Sequence, residues 1–178
     1  SIGIPLTYAV LPYEQYSTAV ATAGHNAGQD IMVHLPMESE SNVTPESTTI
    51  RTSMGSSEVQ AITTRALDSV PYAIGVNNHQ GSKATSDRTT MTAVMKEIHR
   101  QHMFFLDSRT TSASVGQSVA ENMGVPTGVN ELFLDNDSSV GSLKEKLQEA
   151  VRMALRSSGG YIIVIGHARP NTEAAIAA

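Results

Sequence analysis

Apolar positions along this chain alternate between two periods, two residues and about 3.6, and the switches between them predict its elements. Short apolar runs read as strands at Pro5–Leu11, Gln29–His34, Tyr72–Val76, Met103–Leu106, Val129–Leu134 and Tyr161–Ile165. Helical spacing fills the intervals over Tyr13–Ala27, Ser57–Val70, Asp87–Gln101, Ser112–Met123 and Ser139–Arg156. Asn171 reads as the cap of a last short helix. The stop signals agree: Gly28 after the first helix, Gly124 and Pro126 after the fourth, Gly159-Gly160 after the fifth. Within the helices Val59, Ile62 and Ala66 share one face, as do Met91, Val94, Met95 and Ile98. So do Leu143, Leu147, Val151, Ala154 and Leu155. Leu35–Ser53 and Asn77–Thr85 are polar and aperiodic and read as loops. A loop as long as the first is commonly functional in a compact domain.

Strands alternate with helices and no hairpin signal joins any two strands. This pattern predicts a parallel sheet covered by helices, an α/β fold, open or barrel-like. The uninterrupted apolar strands fit burial on both faces. Neither a linker nor a repeat beyond the βα unit is visible, so residues 1–178 read as one domain.

Composition removes several function classes. The net charge is −5, which disfavours nucleic acid and anionic membrane surfaces as partners. No apolar run approaches the length that spans a bilayer, and no signal peptide is visible at the start. The absence of cysteine excludes disulfides, thiol catalysis and thiolate metal sites. Aromatic residues make up only 4 %, with no Trp, too few for a broad sugar-stacking platform. Phosphate-loop, dinucleotide and H-E-x-x-H patterns are missing. Asp135–Lys146 fails as a calcium loop, with Val140 at its sixth position and Lys146 at its twelfth. Gly116-Gln117-Ser118-Val119-Ala120 falls inside a predicted helix and is rejected as a nucleophile elbow. A serine or phosphate-handling enzyme therefore has no supporting motif.

In parallel α/β folds ligands meet the C-terminal ends of the strands. Those ends here carry His34, then Asn77-Asn78-His79-Gln80-Gly81-Ser82, then Asp107-Ser108-Arg109, then Asp135-Asn136-Asp137, then His167. Each has a plain reading. A lone histidine is often a hydrogen-bonded structural residue, an aspartate after a strand commonly caps the next helix or forms a turn, which is how Asp135 and Asp137 read, and Asp107 with Arg109 could be a loop ion pair. Three histidines on three strand ends of one rim also suit a metal or acid/base site, for zinc or another first-row divalent ion. His25, His99 and His102 lie on or just past helices, where solvated histidines are usual.

In this order the strand ends resemble the divergent polysaccharide deacetylases, a branch of the NodB-like carbohydrate esterase superfamily. The stretches are Leu11-Pro12-Tyr13, His34-Leu35-Pro36-Met37-Glu38, Gly75 to Ser82, Phe104 to Thr111, Phe133 to Asp137, and Ile165-Gly166-His167. The resemblance covers nearly the whole chain. It implies a distorted (β/α) barrel of about seven strands, of which about six are present here. It also implies a divalent metal, commonly zinc, acting on an acetylated glycan in the periplasm or cell envelope. Carried over, His34 and His79 would be metal ligands and His167 the catalytic acid, and Asp107 and Arg109 would orient it or the base. Asn77, Asn78 and Ser82 would bind substrate. The family opens on a strand ending in paired aspartates, one a metal ligand and one the base. This chain contains no such pair, so it is expected to be N-terminally incomplete or to lack the acidic half of the site. Two functions follow: a metal-dependent deacetylase, or an inactive deacetylase-like domain that binds glycan or an envelope protein.

Overall fold

The computed structural model describes residues 3–41, 46 and 48–177. The chain forms two compact units, Pro5–Gly128 and Ser1–Ile4 with Val129–Ala178. In the larger unit β1 (Thr7–Val10), α1 (Ser17–Asn26), β2 (Asp30–Met37), α2 (Ser56–Ser69) and β3 (Ala73–Gln80) follow one another. Then come α3 (Arg88–Arg100), β4 (Phe104–Asp107), α4 (Gly116–Asn122) and β5 (Thr127–Val129). The strands form one sheet in sequence order, β1-β2-β3-β4-β5. The β1–β2, β2–β3 and β3–β4 pairings are parallel, as helical crossovers require. The parallel α/β class expected from the alternation is the one adopted.

The predicted helix faces make the core. Val59, Ile62, Ala66 and Leu67 of α2 and Met91, Val94, Met95 and Ile98 of α3 join Val33, Leu35, Val76 and Phe105 in one buried cluster. Asp87 starts α3 by accepting the Thr90 N–H at 2.7 Å. Hydrogen bonding from Thr90 holds its carboxyl below the usual range. Gly75 makes room in β3 for the Phe104 ring, which a Cβ there would force to shift.

Several boundaries move, each for a local reason. Helix α1 begins at Ser17 rather than Tyr13, whose φ of 66° is not helical. The Ser17 hydroxyl takes the Glu14 N–H at 3.0 Å just ahead of it. Helix α4 waits until Gly116, because Thr111 turns the chain through its own side chain and carbonyl. The largest shift concerns β2 and β3. Both run on through residues assigned to loops, Leu35 to Met37 in β2 and Asn77 to Gln80 in β3, pairing His34 with Asn77, Leu35 with Asn78, Pro36 with His79 and Met37 with Gln80. Ile50 then bridges Met37 and donates its N–H to the Pro36 carbonyl at 2.9 Å. Residues 42–45 and 47 of the predicted long loop lie outside the described residues.

The smaller unit holds β6 (Leu132–Phe133), α5 (Val140–Arg156), β7 (Val164–Ile165) and α6 (Pro170–Ile176). β6 and β7 pair in parallel. The single strand expected over Val129–Leu134 is broken where the Asn130 side chain accepts the Leu132 N–H at 3.3 Å. Of the apolar run Tyr161–Ile165 only the last two residues pair. Leu134, Leu143 and Ala175 form a small core with Leu132, Leu147 and Val164 against it. The stripe expected on α5 is therefore only half used: Val151 and Leu155 are 60 % and 81 % exposed. Helix α6 starts on Pro170, with Arg169 rather than Asn171 at its N-cap. The Asn171 amide instead donates to the Ser138 carbonyl.

These two environments predict opposite sensitivities. Phe105→Ala should lower stability by roughly 3–5 kcal/mol, whereas Leu155→Ala should stay within about 0.5 kcal/mol of the parent. Urea unfolding followed by circular dichroism checks both.

Candidate functional site

The extended pairing of β2 with β3 places two imidazoles together. His34 sits opposite Asn77, and His79 lies two residues further along β3, on the same face as Asn77. His34 Nε2 and His79 Nδ1 are 2.9 Å apart. The rings meet edge to face, with centroids 4.6 Å apart and planes at 66°. Each ring is also held on its outer nitrogen. His34 Nδ1 is 2.9 Å from Asn77 Oδ1, and His79 Nε2 is 2.9 Å from Glu46 Oε1.

Hydrogen-bonding capacity decides where the protons lie. A carboxylate only accepts, so His79 donates from Nε2 to Glu46. The Asn77 amide nitrogen donates to Ser108 Oγ at 3.1 Å, which turns Asn77 Oδ1 toward His34 and makes His34 Nδ1 a donor. The two inner nitrogens lie within hydrogen-bond distance of each other, so one proton or one cation between them would satisfy both. This donor set suits a divalent ion such as zinc, since metal-bound histidines use their second nitrogen to donate to a carboxylate or carbonyl oxygen. Among the described residues no group of three His, Asp or Glu is arranged to hold an ion, so the histidine pair would supply two ligands.

The other residues singled out on the sequence fall into three places. Asn77 and Asn78 are 2 % and 1 % exposed. Asn78 Oδ1 accepts the Ser108 N–H and its Nδ2 donates to the Gln80 carbonyl, both at 2.8 Å. Both asparagines thus brace the strands from within. Ser82 Oγ accepts the Glu40 N–H at 2.9 Å and meets Ser39 Oγ, tying the segment after β2. Asp107 is buried, and its carboxylate accepts the Arg109 N–H at 2.9 Å and the Ser114 hydroxyl at 2.7 Å. That shapes the turn after β4, where Arg109 adopts a positive φ of 53° and leaves its side chain exposed.

In the smaller unit His167 forms a dyad. Its Nδ1 lies 3.0 and 3.1 Å from the two oxygens of Asp135, and its backbone N–H donates to the same carboxylate. Arg169 adds an ion pair at 3.4 Å. The Asp135 side chain is 1 % exposed and that of His167 is 57 % exposed. A buried carboxylate therefore accepts from Nδ1 and leaves Nε2 at the outer edge of an exposed ring. Read on the sequence as a helix cap, Asp135 is instead the partner of His167. The N-cap of α5 is Ser139, whose hydroxyl accepts the Ser142 N–H, while Asp137 forms the turn ahead of it by accepting the Ser139 N–H, a bond that holds its carboxyl below its usual range. Glu46 carried no signal at all, standing in an aperiodic segment.

Beside the histidine pair, Glu38 closes the rim. Its carboxylate accepts from Lys83 Nζ and from the Thr52 N–H and hydroxyl, each at 2.8 Å. Its backbone carbonyl takes the N–H groups of Lys83 and Ala84. The Lys83 hydrogen bond, opposed by partial burial and aided by Thr52, lowers its pKa to about 2.

Comparison with known proteins places this geometry. The family described as divergent polysaccharide deacetylase matches residues 1–178. The uncharacterized protein YibQ of Escherichia coli K12 is 36 % identical over 167 residues, 94 % of this chain and 52 % of its own length. An uncharacterized protein of Haemophilus influenzae is 35 % identical over 173 residues, 97 % of this chain and 61 % of its own. The chain thus spans about half to three-fifths of the length of these relatives. The crystal structure of an uncharacterized protein from Agrobacterium tumefaciens C58 superposes with a TM-score of 0.90 at 20 % identity, covering 98 % of this chain and 70 % of that one. That likeness bears on the fold alone, and it agrees with a distorted (β/α) barrel.

The Glu38 clip gives a pH dependence of known sign. Its folded pKa lies below the unfolded value of 4.5, so its stabilisation is complete above about pH 4.5 and is lost as pH falls toward about 2. Thermal melts of the parent and Glu38→Gln should differ most near neutrality and converge across that window.

Proposed function

Because the chain belongs to the divergent polysaccharide deacetylase family, we propose that it carries the metal-ligating histidines of a hydrolase that removes acetyl groups from a glycan of the cell envelope. The observation behind this reading is the histidine pair, with inner nitrogens 2.9 Å apart and outer nitrogens committed to Asn77 and Glu46. His34 Nε2 and His79 Nδ1 would hold a divalent ion, most simply zinc. When bound, such an ion supplies Lewis acidity that polarises a carbonyl and acidifies water.

The chain's own residues perform the rest. Asn77 and Glu46 fix the direction of the two imidazoles through their outer nitrogens. Asp135 keeps the His167 ring in one tautomer, so that Nε2 is the nitrogen that takes up and delivers a proton. We assign His167 the protonation of the departing amine or alcohol. Asp107 shapes the turn that carries Arg109, whose exposed guanidinium is suited to polar groups of a sugar. Among the described residues no helix is long and apolar enough to cross a membrane.

Metal content by mass spectrometry tests the reading, on this chain and on the longer Escherichia coli relative. About one zinc per chain is expected, lost in His34→Ala and in His79→Ala. Deacetylation of N-acetylglucosamine oligomers by the longer protein should fall at least about 100-fold when the histidine matching His79 is replaced by Ala. Retained activity in that variant would sink the assignment. Absence of metal from both proteins after reconstitution would leave a glycan- or protein-binding domain.

A further inference from the structure

The orientation of His34 depends on Asn77, and that of Asn77 on Ser108. Ser108, just past β4, has one hydroxyl proton, and the Asn78 carbonyl 2.8 Å away can only accept. The proton is committed there, so Ser108 Oγ presents its lone pairs elsewhere and needs a donor. Asn77 Nδ2 fills that need at 3.1 Å. An amide has two ends, and fixing the nitrogen on Ser108 fixes Oδ1 on His34 Nδ1, 2.9 Å away. Reversed, the amide would set an oxygen against the lone pairs of Ser108 and an NH₂ against His34. The relay lies within β2, β3 and the end of β4, and Asn77 and Ser108 are both buried, at 2 % and 3 % exposure, so water does not substitute for either partner at low cost.

We propose that Ser108 is a positioning residue that, through Asn77, fixes the proton of His34 on Nδ1 and so keeps Nε2 as the nitrogen facing His79. Asn77 is the switch and Ser108 sets it. The zinc part of this inference rests on the metal-site reading above, whereas the proton position does not.

The test reads that proton directly, on the full chain without metal, as the imidazole N–H of His34 Nδ1 in ¹⁵N-resolved NMR. In the parent it should be hydrogen-bonded and slow to exchange. Ser108→Ala should speed its exchange about three- to tenfold or move the proton to Nε2. Asn77→Asp should retain the Nδ1 proton, since a carboxylate offers an oxygen whichever way it is turned. In the Asn77→Asp background Ser108→Ala should then have no effect on it, a result that a merely space-filling role for Ser108 would not produce. Zinc affinity by calorimetry should fall about 10- to 100-fold in Ser108→Ala and recover toward the parent in the double variant. A parent His34 protonated on Nε2 alone, or a Ser108→Ala protein with unchanged Nδ1 exchange, overturns the proposal. If Ser108→Ala does not fold, Asn77→Asp decides: loss of the Nδ1 proton there overturns it as well. If the proton behaves as stated but the parent binds no zinc, the positioning role stands and the metal reading falls.

Discussion

The parallel pairing of β2 with β3 is the constraint on which the candidate site depends. Eight-residue strands lie side by side, and their last four pairs consist of His34, Leu35, Pro36 and Met37 against Asn77, Asn78, His79 and Gln80. Side chains alternate along a strand, so this register alone brings His34, Asn77 and His79 to one face. A slip of one residue would move His79 to the other face and Asn78 into the place of Asn77. The anchors against such a slip lie beside the polar residues: Val33, Leu35 and Met37 on β2 and Val76 on β3 are all nearly inaccessible to solvent. Burial of apolar residues therefore sets the geometry of the polar ones, and the hydrogen bonds among the latter use a position already given.

How much of this was legible in the sequence follows from the same fact. Strand positions with uninterrupted apolar runs, such as Met103–Leu106, were readable, as were the inner faces of α2 and α3. What periodicity missed was the last residues of β2, Leu35 to Met37, and the polar end of β3, Asn77 to Gln80. Asn77 and Asn78 are buried side chains that take partners on β2 and beyond β4, and no local pattern reports a partner 30 residues away. Pro36 reinforced the error, since a proline reads as the end of a strand, yet its carbonyl still serves Ile50. Asp135 shows the converse. Its place before a helix suggested a cap, and its real partner, His167, is distant in sequence. On α5 the apolar stripe was read correctly as a pattern, but only its first turns meet a core within the smaller unit.

Two imidazole sites in this chain are controlled by the same means, an acceptor on one nitrogen that determines the state of the other. Asp135 does this for His167 and Glu46 for His79, each with a carboxylate. His34 is the exception, with an amide. The difference follows from burial and neighbourhood. The Glu46 side chain is about a quarter exposed, and Asp135 has Arg169 beside it as a countercharge. Asn77 is buried, so a carboxylate there would carry a larger desolvation cost than an amide. A neutral amide avoids that cost but introduces an ambiguity a carboxylate does not have, because its two ends differ in donor and acceptor character. Something must choose between the ends, and the only requirement is a group that can accept and cannot donate in that direction. A serine hydroxyl whose proton is already held by a backbone carbonyl meets it. The Asn77–Ser108 pair thus replaces one buried charge with two neutral groups, and the backbone of β3 supplies the reference that orients them both.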